Sequence, residues 1–237
     1  MDMKPKAKFV PVNFPQYDFL RYLAVSCEDD ERLPSLNDLA PQLGLSTSSL
    51  REQMEVARAL GLIEVRPRTG IKRLKYSFRS AVQQSLNYAL MIERDYFVSF
   101  SELRIHLEIS YWSEAVALLQ ADDKVRLKEL VQLAREKLNR KPVQLPHAEH
   151  REFHTTFFKY INNPFVHGLL EAYWDLYEAA GLDVYNNYSY LNLVWDYHAE
   201  MVESIIKGEY QAGLNALKEH FNLISHRNQP NNTQKFE

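Results

Sequence analysis

The segment 33–78 constrains the fold more than any other part of the chain, because it predicts two short helices joined by a turn and followed by two strands. Ser35 and Ser46 are placed to cap the two helices, and Gly44 supplies the turn between them. The apolar residues recur at helical spacing, with Leu36, Leu39, Ala40 and Leu43 in the first helix and Leu50, Met54 and Ala57 in the second. This arrangement is typical of the helix-turn-helix, whose second helix enters the major groove of DNA.

The start of the second helix is polar. Four side chains there lie off the buried stripe and are therefore free to face DNA: Thr47, Ser48, Ser49 and Arg51. Together with the capping Ser46, they form the predicted recognition surface.

Two alternating segments, near 62–66 and 71–78, predict a hairpin with Gly70 in its turn. Between residues 66 and 79 the chain has six basic residues and no acidic residue: Arg66, Arg68, Lys72, Arg73, Lys75 and Arg79. A cationic hairpin beside a recognition helix is typical of a wing that contacts phosphates or a minor groove. The alternative is a solvated basic hairpin with no such role. We predict DNA contacts at Arg66, Arg68, Gly70, Lys72 and Arg73.

The charge is divided unevenly along the chain. Residues 1–80 carry 13 Lys and Arg against 10 Asp and Glu, a net charge of +3, whereas the remainder carries 15 against 21, a net charge of −6. The basic part is the one with the helix-turn-helix pattern. We therefore expect the front of the chain to meet phosphate and the rear to serve another purpose.

After about residue 80 the pattern is helical almost to the end. It predicts helices near 80–96, 99–120, 123–139, 145–161, 164–180, 188–207 and 209–226. We divide the chain into a winged helix-turn-helix domain (1–79), an all-helical domain (80–228) and a disordered tail (229–237). The single cysteine, Cys27, and the lack of any long apolar stretch predict a cytoplasmic protein with no membrane partner.

The segment 15–78 resembles the DNA-binding domain of the GntR family of transcriptional regulators. The matching motifs are LPS (33–35), DLA (38–40), LGLS (43–46), LRE (50–52), LGLIEVRP (60–67) and Gly70. Two positions depart from the family pattern, with Leu36 where the family usually has Glu and Thr47 where it usually has a DNA-contacting Arg. Arg51 matches another arginine of the family and is the strongest candidate for a base or phosphate contact.

All eight histidines follow residue 100, and two of them are one helical turn apart. His150 and His154 share one helix face, where imidazoles at i and i+4 can chelate one ion. His198 and His220 lie in two later amphipathic helices. From spacing alone, these side chains could equally be core or solvated histidines.

Three later segments resemble the C-terminal ligand domain of the FadR subfamily of GntR regulators, an FCD-type antiparallel helical bundle. They are FSELRIHLE (100–108), EFHTTFFKYINNP (152–164) and YHAEMVESIIKGEYQAGLNALKEHF (197–221). Many members hold a divalent metal through one Asp and three His, and His154, His198 and His220 match those histidines. The usual Asp is His150 here. The resemblance implies a site of four imidazoles suited to Zn or Ni, or alternatively the loss of the metal.

Arg104 matches the arginine of the subfamily's ELR motif, which implies a bidentate contact with the carboxylate of a small ligand. The alternative is an ion pair within its own helix, with Glu108 or Glu102. Tyr111 and Tyr197 are predicted to line the ligand cavity, although tyrosines in such patterns are more often part of the core.

These features predict a DNA-binding transcriptional regulator and not an enzyme. Its fold is expected to be mainly α, with an N-terminal winged helix-turn-helix, a small β-hairpin wing and a C-terminal antiparallel all-helical bundle. The expected partners are double-stranded operator DNA, a small carboxylate effector and a second copy of the chain in a homodimer. Two alternatives are a metal-responsive regulator whose effector is the ion, and a helical metalloenzyme, for which the sequence offers no His-Glu-x-x-His motif.

Overall fold

The computed structural model describes residues 18–67, 70–180 and 188–227. These residues form ten helices and three short strands, and the chain divides into two compact units, Met1–Tyr76 and Ser77–Glu237. The predicted fold class, mainly helical with a small hairpin wing, is confirmed. The predicted tail (229–237) and Arg68 lie outside the described residues.

The described part of the first unit has three helices and a three-stranded antiparallel sheet. In chain order its elements are α1 (Asp18–Ser26), β1 (Arg32–Leu33), α2 (Leu36–Leu43), α3 (Thr47–Ala59), β2 (Ile63–Arg66) and β3 (Gly70–Arg73). The strands lie in the order β1-β3-β2. One apolar core joins the helices to the sheet, and its buried members include Phe19, Leu23, Leu39, Leu50, Ala57, Ile63 and Ile71.

Both helices of the helix-turn-helix begin at the predicted caps. The backbone N–H of Asp38 donates to Ser35 Oγ at 3.4 Å, and the N–H of Ser49 donates to Ser46 Oγ at 3.1 Å. Gly44 follows α2 with a φ of 66°, a left-handed conformation that glycine adopts without steric strain. The turn chemistry read from the sequence therefore sets the helix ends.

The strands differ from the predicted ones in two ways. β1 is not predicted, because two residues are too few to show an alternating pattern; its Arg32 pairs with Lys72 of β3. β3 ends at Arg73 instead of continuing to residue 78, because its partner β2 begins at Ile63, directly opposite Arg73.

The second unit is a helical bundle. Its described helices are α4 (Arg79–Ile92), α5 (Tyr96–Leu118), α6 (Ala121–Leu138), α7 (His147–Phe158), α8 (Pro164–Ala180), α9 (Tyr188–Lys207) and α10 (Tyr210–Arg227). Their ends agree with the predicted ones to within four residues. Within the described ranges, no helix combines the length and the apolar character that crossing a membrane requires.

The core of the bundle contains a polar cluster among large aromatic side chains. The buried aromatic residues include Trp112, Phe153, Phe157, Tyr173, Trp174, Trp195 and Phe221. The polar residues buried in the same unit include Arg104, Glu108, His150, His154, His198 and His220. Buried ionisable groups are rare unless they are paired or bind a ligand. This cluster is therefore a candidate functional site.

Candidate metal centre and DNA-binding surface

The first turns of α3 present an exposed polar surface. Thr47, Ser48 and Arg51 are exposed and Ser49 is half-buried, because Leu50, Met54 and Ala57 occupy the face turned to the core. The hydroxyl oxygen of Ser46 accepts the N–H of Ser49 and so holds the helix start. Side chains at the start of such a helix can reach base edges and phosphates.

The outer face of the sheet is cationic. Neighbouring residues of a strand point to opposite faces, so Arg66, Gly70 and Lys72 share one face, and Arg32 of β1 lies on that face directly opposite Lys72. Sequence reasoning identified the first three and missed Arg32, whose strand is too short to recognise.

Arg73 lies on the inner face of the same sheet, opposite Ile63. It donates a hydrogen bond to the backbone carbonyl of Cys27, and its guanidinium is 3.4 Å from the carboxylate of Asp29. This placement differs from the DNA-facing one that the sequence predicts, because Arg73 alternates with Lys72 along β3. Its contacts join β3 to the loop before β1.

Four histidines from three helices converge inside the bundle. His150 and His154 come from α7, His198 from α9 and His220 from α10. One ring nitrogen from each lies within 4.8 Å of the corresponding nitrogens of the other three, and His154 Nε2 is 3.1 Å from His198 Nε2. All four side chains are buried, none being more than 6% exposed.

Several ring nitrogens of this cluster have no hydrogen-bond partner among the described residues: His150 Nε2, His198 Nδ1 and both nitrogens of His220. A buried polar atom without a partner loses about 1–3 kcal/mol of solvation free energy. Aromatic rings surround the cluster, with Trp174 4.9 Å from His150, Phe153 4.3 Å from His198 and Trp195 4.6 Å from His198, measured between ring centroids.

The four imidazoles are held in their neutral form. Burial lowers the pKa of His150, His154, His198 and His220 well below 6.5. Arg104 lowers the pKa of all four further, and neighbouring histidines lower that of His150, His198 and His220. Neutral imidazole is the form that binds a metal ion. The surroundings therefore keep the nitrogens in the state that a metal needs.

An ion pair from α5 lies against the histidines. Arg104 Nε donates to Glu108 Oε1 at 2.5 Å, and Glu108 Oε2 is 2.9 Å from His154 Nδ1. Arg104 Nη2 is 3.1 Å from the same Nδ1, and the guanidinium stacks over Tyr173 at 4.5 Å. Burial alone would lower the pKa of Arg104, but Glu108 and Tyr173 together outweigh this effect and raise it.

Glu108 can stabilise the tautomer of His154 that leaves Nε2 free for a metal, whereas a hydrogen bond from Arg104 Nη2 to Nδ1 would stabilise the other tautomer. If Nε2 binds a metal, Nδ1 must carry the proton, and Glu108 Oε2 is placed to accept it. A carboxylate in this position also orients the ring and raises the basicity of the ligating nitrogen. Glu108 was missed as a functional residue by sequence reasoning, which weighed it only as an ion-pair partner of Arg104.

The donor set fits a divalent transition metal. Four neutral imidazoles match the preference of Zn, Ni and Cu for nitrogen ligands, whereas Mg and Ca prefer oxygen. Zn–N bonds of about 2.0–2.1 Å place tetrahedral nitrogens roughly 3.3 Å apart, close to the 3.1 Å between His154 Nε2 and His198 Nε2. His150 Nε2 and one of the two nitrogens of His220 would gain the partner that they lack.

The three residues predicted to contact a ligand, Arg104, Tyr111 and Tyr197, lie in different surroundings. Arg104 lies beside the histidines, but it forms the ion pair with Glu108 that the sequence left open as an alternative. Tyr111 accepts a hydrogen bond from Asn163 Nδ2 at 3.0 Å, and Tyr197 is half-buried against the core. The indole N–H of Trp174, a residue missed from the sequence, is buried without a partner among the described residues.

Comparison with known proteins gives one family match and several similar structures. Residues 99–223 match the model of the FCD domain family. The structure of a Streptococcus agalactiae GntR protein has a TM-score of 0.64 at 20% identity, and the match covers 90% of this chain and 97% of that chain. The structure of Lar, described as controlling expression of the Listeria monocytogenes agr system, has a TM-score of 0.51 at 14% identity, covering 93% and 97%. At these identities the two structures establish similarity of fold. No curated protein matches the sequence.

Proposed function

The chain belongs to the FCD domain family, as the sequence resemblance predicted, and on that premise we propose that it is a DNA-binding transcriptional regulator of the GntR type. The observation that carries the proposal is the pairing, in one chain, of an exposed recognition helix beside a cationic sheet face with a helical unit whose buried histidines converge. The operator would be bound by Arg51 and its neighbours on α3, with the outer sheet face against the phosphates.

The second unit is proposed to hold one divalent transition metal, Zn or Ni, through His150, His154, His198 and His220. Support comes from the convergence of one nitrogen from each ring, from the unpartnered state of several of these nitrogens and from their low pKa values. The bound ion would join α7, α9 and α10. Such a link between helices could couple ligand binding to the DNA-binding unit.

A small carboxylate is the first candidate effector. Arg104 is a buried guanidinium beside the proposed metal, and the N–H of Trp174 is a buried donor without a partner among the described residues. Because Arg104 already binds Glu108, a carboxylate effector would have to share or displace that partner. Binding would therefore change the side-chain contacts between α5 and His154, and such a change could alter operator affinity.

The metal ion itself is the second candidate effector, and one observation favours it. Four imidazoles can complete a tetrahedral coordination sphere by themselves, which is the arrangement of closed metal sites, whereas sites that bind a further ligand usually keep a position open. A closed site responds to the presence of the ion and not to a ligand on it.

Two copies of the chain are expected to bind together. A symmetric dimer presents two recognition helices to the two halves of a palindromic operator, about one helical turn apart. Cross-linking or sedimentation of the purified chain, with and without duplex, measures this directly.

One titration tests the function and separates the two effectors. The chain is stripped with a chelator, and its binding to labelled genomic fragments is followed by fluorescence anisotropy as zinc is added, with and without acetate, succinate or citrate. A change in DNA affinity on zinc alone supports the ion as effector; a change that also requires a carboxylate supports the small ligand. His198→Ala should abolish the zinc response, while His106→Ala, at an exposed histidine of α5, should not. Absence of salt-sensitive binding to every fragment would contradict the regulator itself.

A further inference from the structure

The outer face of the sheet contains a row of charged residues fixed by strand pairing. Arg32 of β1, Lys72 of β3 and Glu64 of β2 are direct cross-strand neighbours, since Lys72 is paired with both of the others. Arg66 follows Glu64 by two residues on the same face and is opposite Gly70. Because the backbone register sets this row, its members lie together whatever their side-chain rotamers are.

These residues enclose a shallow cavity. It has a volume of about 260 Å³ and is lined by Arg32, Glu64, Arg66, Gly70 and Lys72. Three cations and one carboxylate therefore face the same space. Gly70 has no side chain, and an added Cβ there would meet no atom of the described residues within 4 Å.

Two acidic residues are already bound to these cations. Arg66 Nη2 is 2.7 Å from Glu64 Oε1, and Lys72 Nζ is 2.7 Å from Asp30 Oδ1. The sequence between residues 66 and 79 contains no acidic residue, but the fold brings Glu64 and Asp30 to it from either side. The charge of this face is therefore lower than the linear sequence indicates.

We propose that Glu64 and Asp30 lower the affinity of the outer sheet face for duplex DNA, because they compete with DNA phosphates for Arg66 and Lys72. This inference rests on the proposed DNA-binding function and deepens it. A phosphate entering the cavity must displace each carboxylate from its cation or bind beside it. The two acids thus lower the affinity for any duplex. Contacts of α3 with bases then account for a larger share of the affinity for an operator than phosphate contacts do without the two acids.

The expected effects follow from the electrostatics of exposed charges. Neutralising one of the acids removes a repulsion against phosphate and frees one cation, so affinity for duplex DNA should rise about two- to fivefold for each acid. It should also steepen the dependence of affinity on salt. Removing Arg32 or Lys72 should weaken binding and reduce the logarithmic salt slope by about one.

The experiment measures the affinity of the full chain for a fluorescein-labelled, 30-base-pair duplex of mixed sequence, by anisotropy at several salt concentrations. The variants are Glu64→Gln, Asp30→Asn, Arg32→Ala and Lys72→Ala. Glu129→Gln and Lys128→Ala, at exposed positions of α6, provide matched charge controls. Circular dichroism of each variant verifies that the fold is retained.

Tighter binding by the two acid variants, with weaker binding and a lower salt slope for the two cation variants, would support the proposal. If duplex binding is lost in Arg51→Ala but unchanged in all four sheet variants, the proposed role of the sheet face is overturned, while the proposal that the chain is a DNA-binding regulator is retained. If the unsubstituted chain binds no duplex even at low salt, both are overturned. Changes of equal size in the α6 controls would show that net charge alone explains the effect. They would also overturn the proposed role of the sheet face.

Discussion

Replacing Glu108 with Gln should destabilise the second unit and weaken metal binding at the same time. Glu108 and Arg104 are both buried, with side chains 1% and 2% exposed, and their closest atoms are 2.5 Å apart. Removing the carboxylate charge leaves a guanidinium buried without its counter-ion. Breaking a buried pair in this way reduces the free energy of unfolding by about 3–5 kcal/mol.

The expected loss is large enough to measure by thermal denaturation. For a protein of this size, 1 kcal/mol corresponds to a shift of about 2–4 °C, so the melting temperature of the metal-free chain should fall by roughly 6–20 °C. Zinc affinity should fall about 10- to 100-fold, because His154 loses the carboxylate that orients it. Competition against a chromophoric chelator measures that affinity.

Two further variants separate the effects. Glu152→Gln breaks a half-exposed pair between Glu152 of α7 and Arg126 of α6. It should cost less than about 1 kcal/mol, with zinc affinity unchanged. The double change Arg104→Met with Glu108→Leu removes both buried charges and should recover most of the stability, but not the zinc affinity. A Glu108→Gln variant that melts within 2 °C of the unsubstituted chain, roughly the shift produced by 1 kcal/mol, and binds zinc equally well would refute this reasoning.

The remaining predictions concern the DNA surface, the pH response and the helix packing. Arg51→Ala should weaken duplex binding measured by anisotropy and leave zinc content unchanged, whereas His198→Ala should lower zinc content first; crossed effects would contradict this division. For the metal-free chain, burial lowers the pKa of the four histidines, so the unfolded state binds protons that the folded state does not. The free energy of unfolding should therefore fall as the pH drops below about 6.5, by up to about 1.4 kcal/mol per pH unit for each histidine. Urea denaturation measures this free energy, and equal values at pH 7.5 and pH 5.5 would contradict the prediction. Gly168→Ala should destabilise the chain by about 1–3 kcal/mol, because a Cβ there would lie 2.6 Å from Phe78 Cβ and 2.7 Å from the backbone N of Arg79. Thermal denaturation measures the loss. An unchanged melting temperature would show that α4 and α8 can move apart at no cost in stability.

Local features of the fold could be read from the sequence because local chemistry determines them. The caps at Ser35 and Ser46 and the turn at Gly44 act within a few residues, and the helical periodicity of the second unit is continuous. β1 could not be read, since its pairing with β3 joins segments some 40 residues apart in the chain and has no pattern of its own. Arg32 was missed for the same reason.

The candidate metal site was only partly visible in the sequence. The spacing of His150 and His154 indicates a shared helix face, but His198 and His220 joined the set through family resemblance, because convergence of three helices is a property of packing. The role of Glu108 depends on a contact between α5 and α7 across 46 residues of chain. Likewise, the sequence predicts Arg73 on the DNA surface because a cluster of basic residues does not reveal which face of a strand each one occupies.

X-ray absorption at the zinc edge of the zinc-loaded chain tests the proposed four-histidine centre most directly. Four nitrogen ligands at about 2.0–2.1 Å, with the scattering pattern of imidazole rings and one zinc per chain, are expected. In His150→Ala, the spectrum should show one nitrogen ligand fewer, and the chain should bind zinc more weakly. A zinc ion surrounded mainly by oxygen, or a spectrum unchanged by substitution of His150 and His198, would contradict a metal centre at these four histidines.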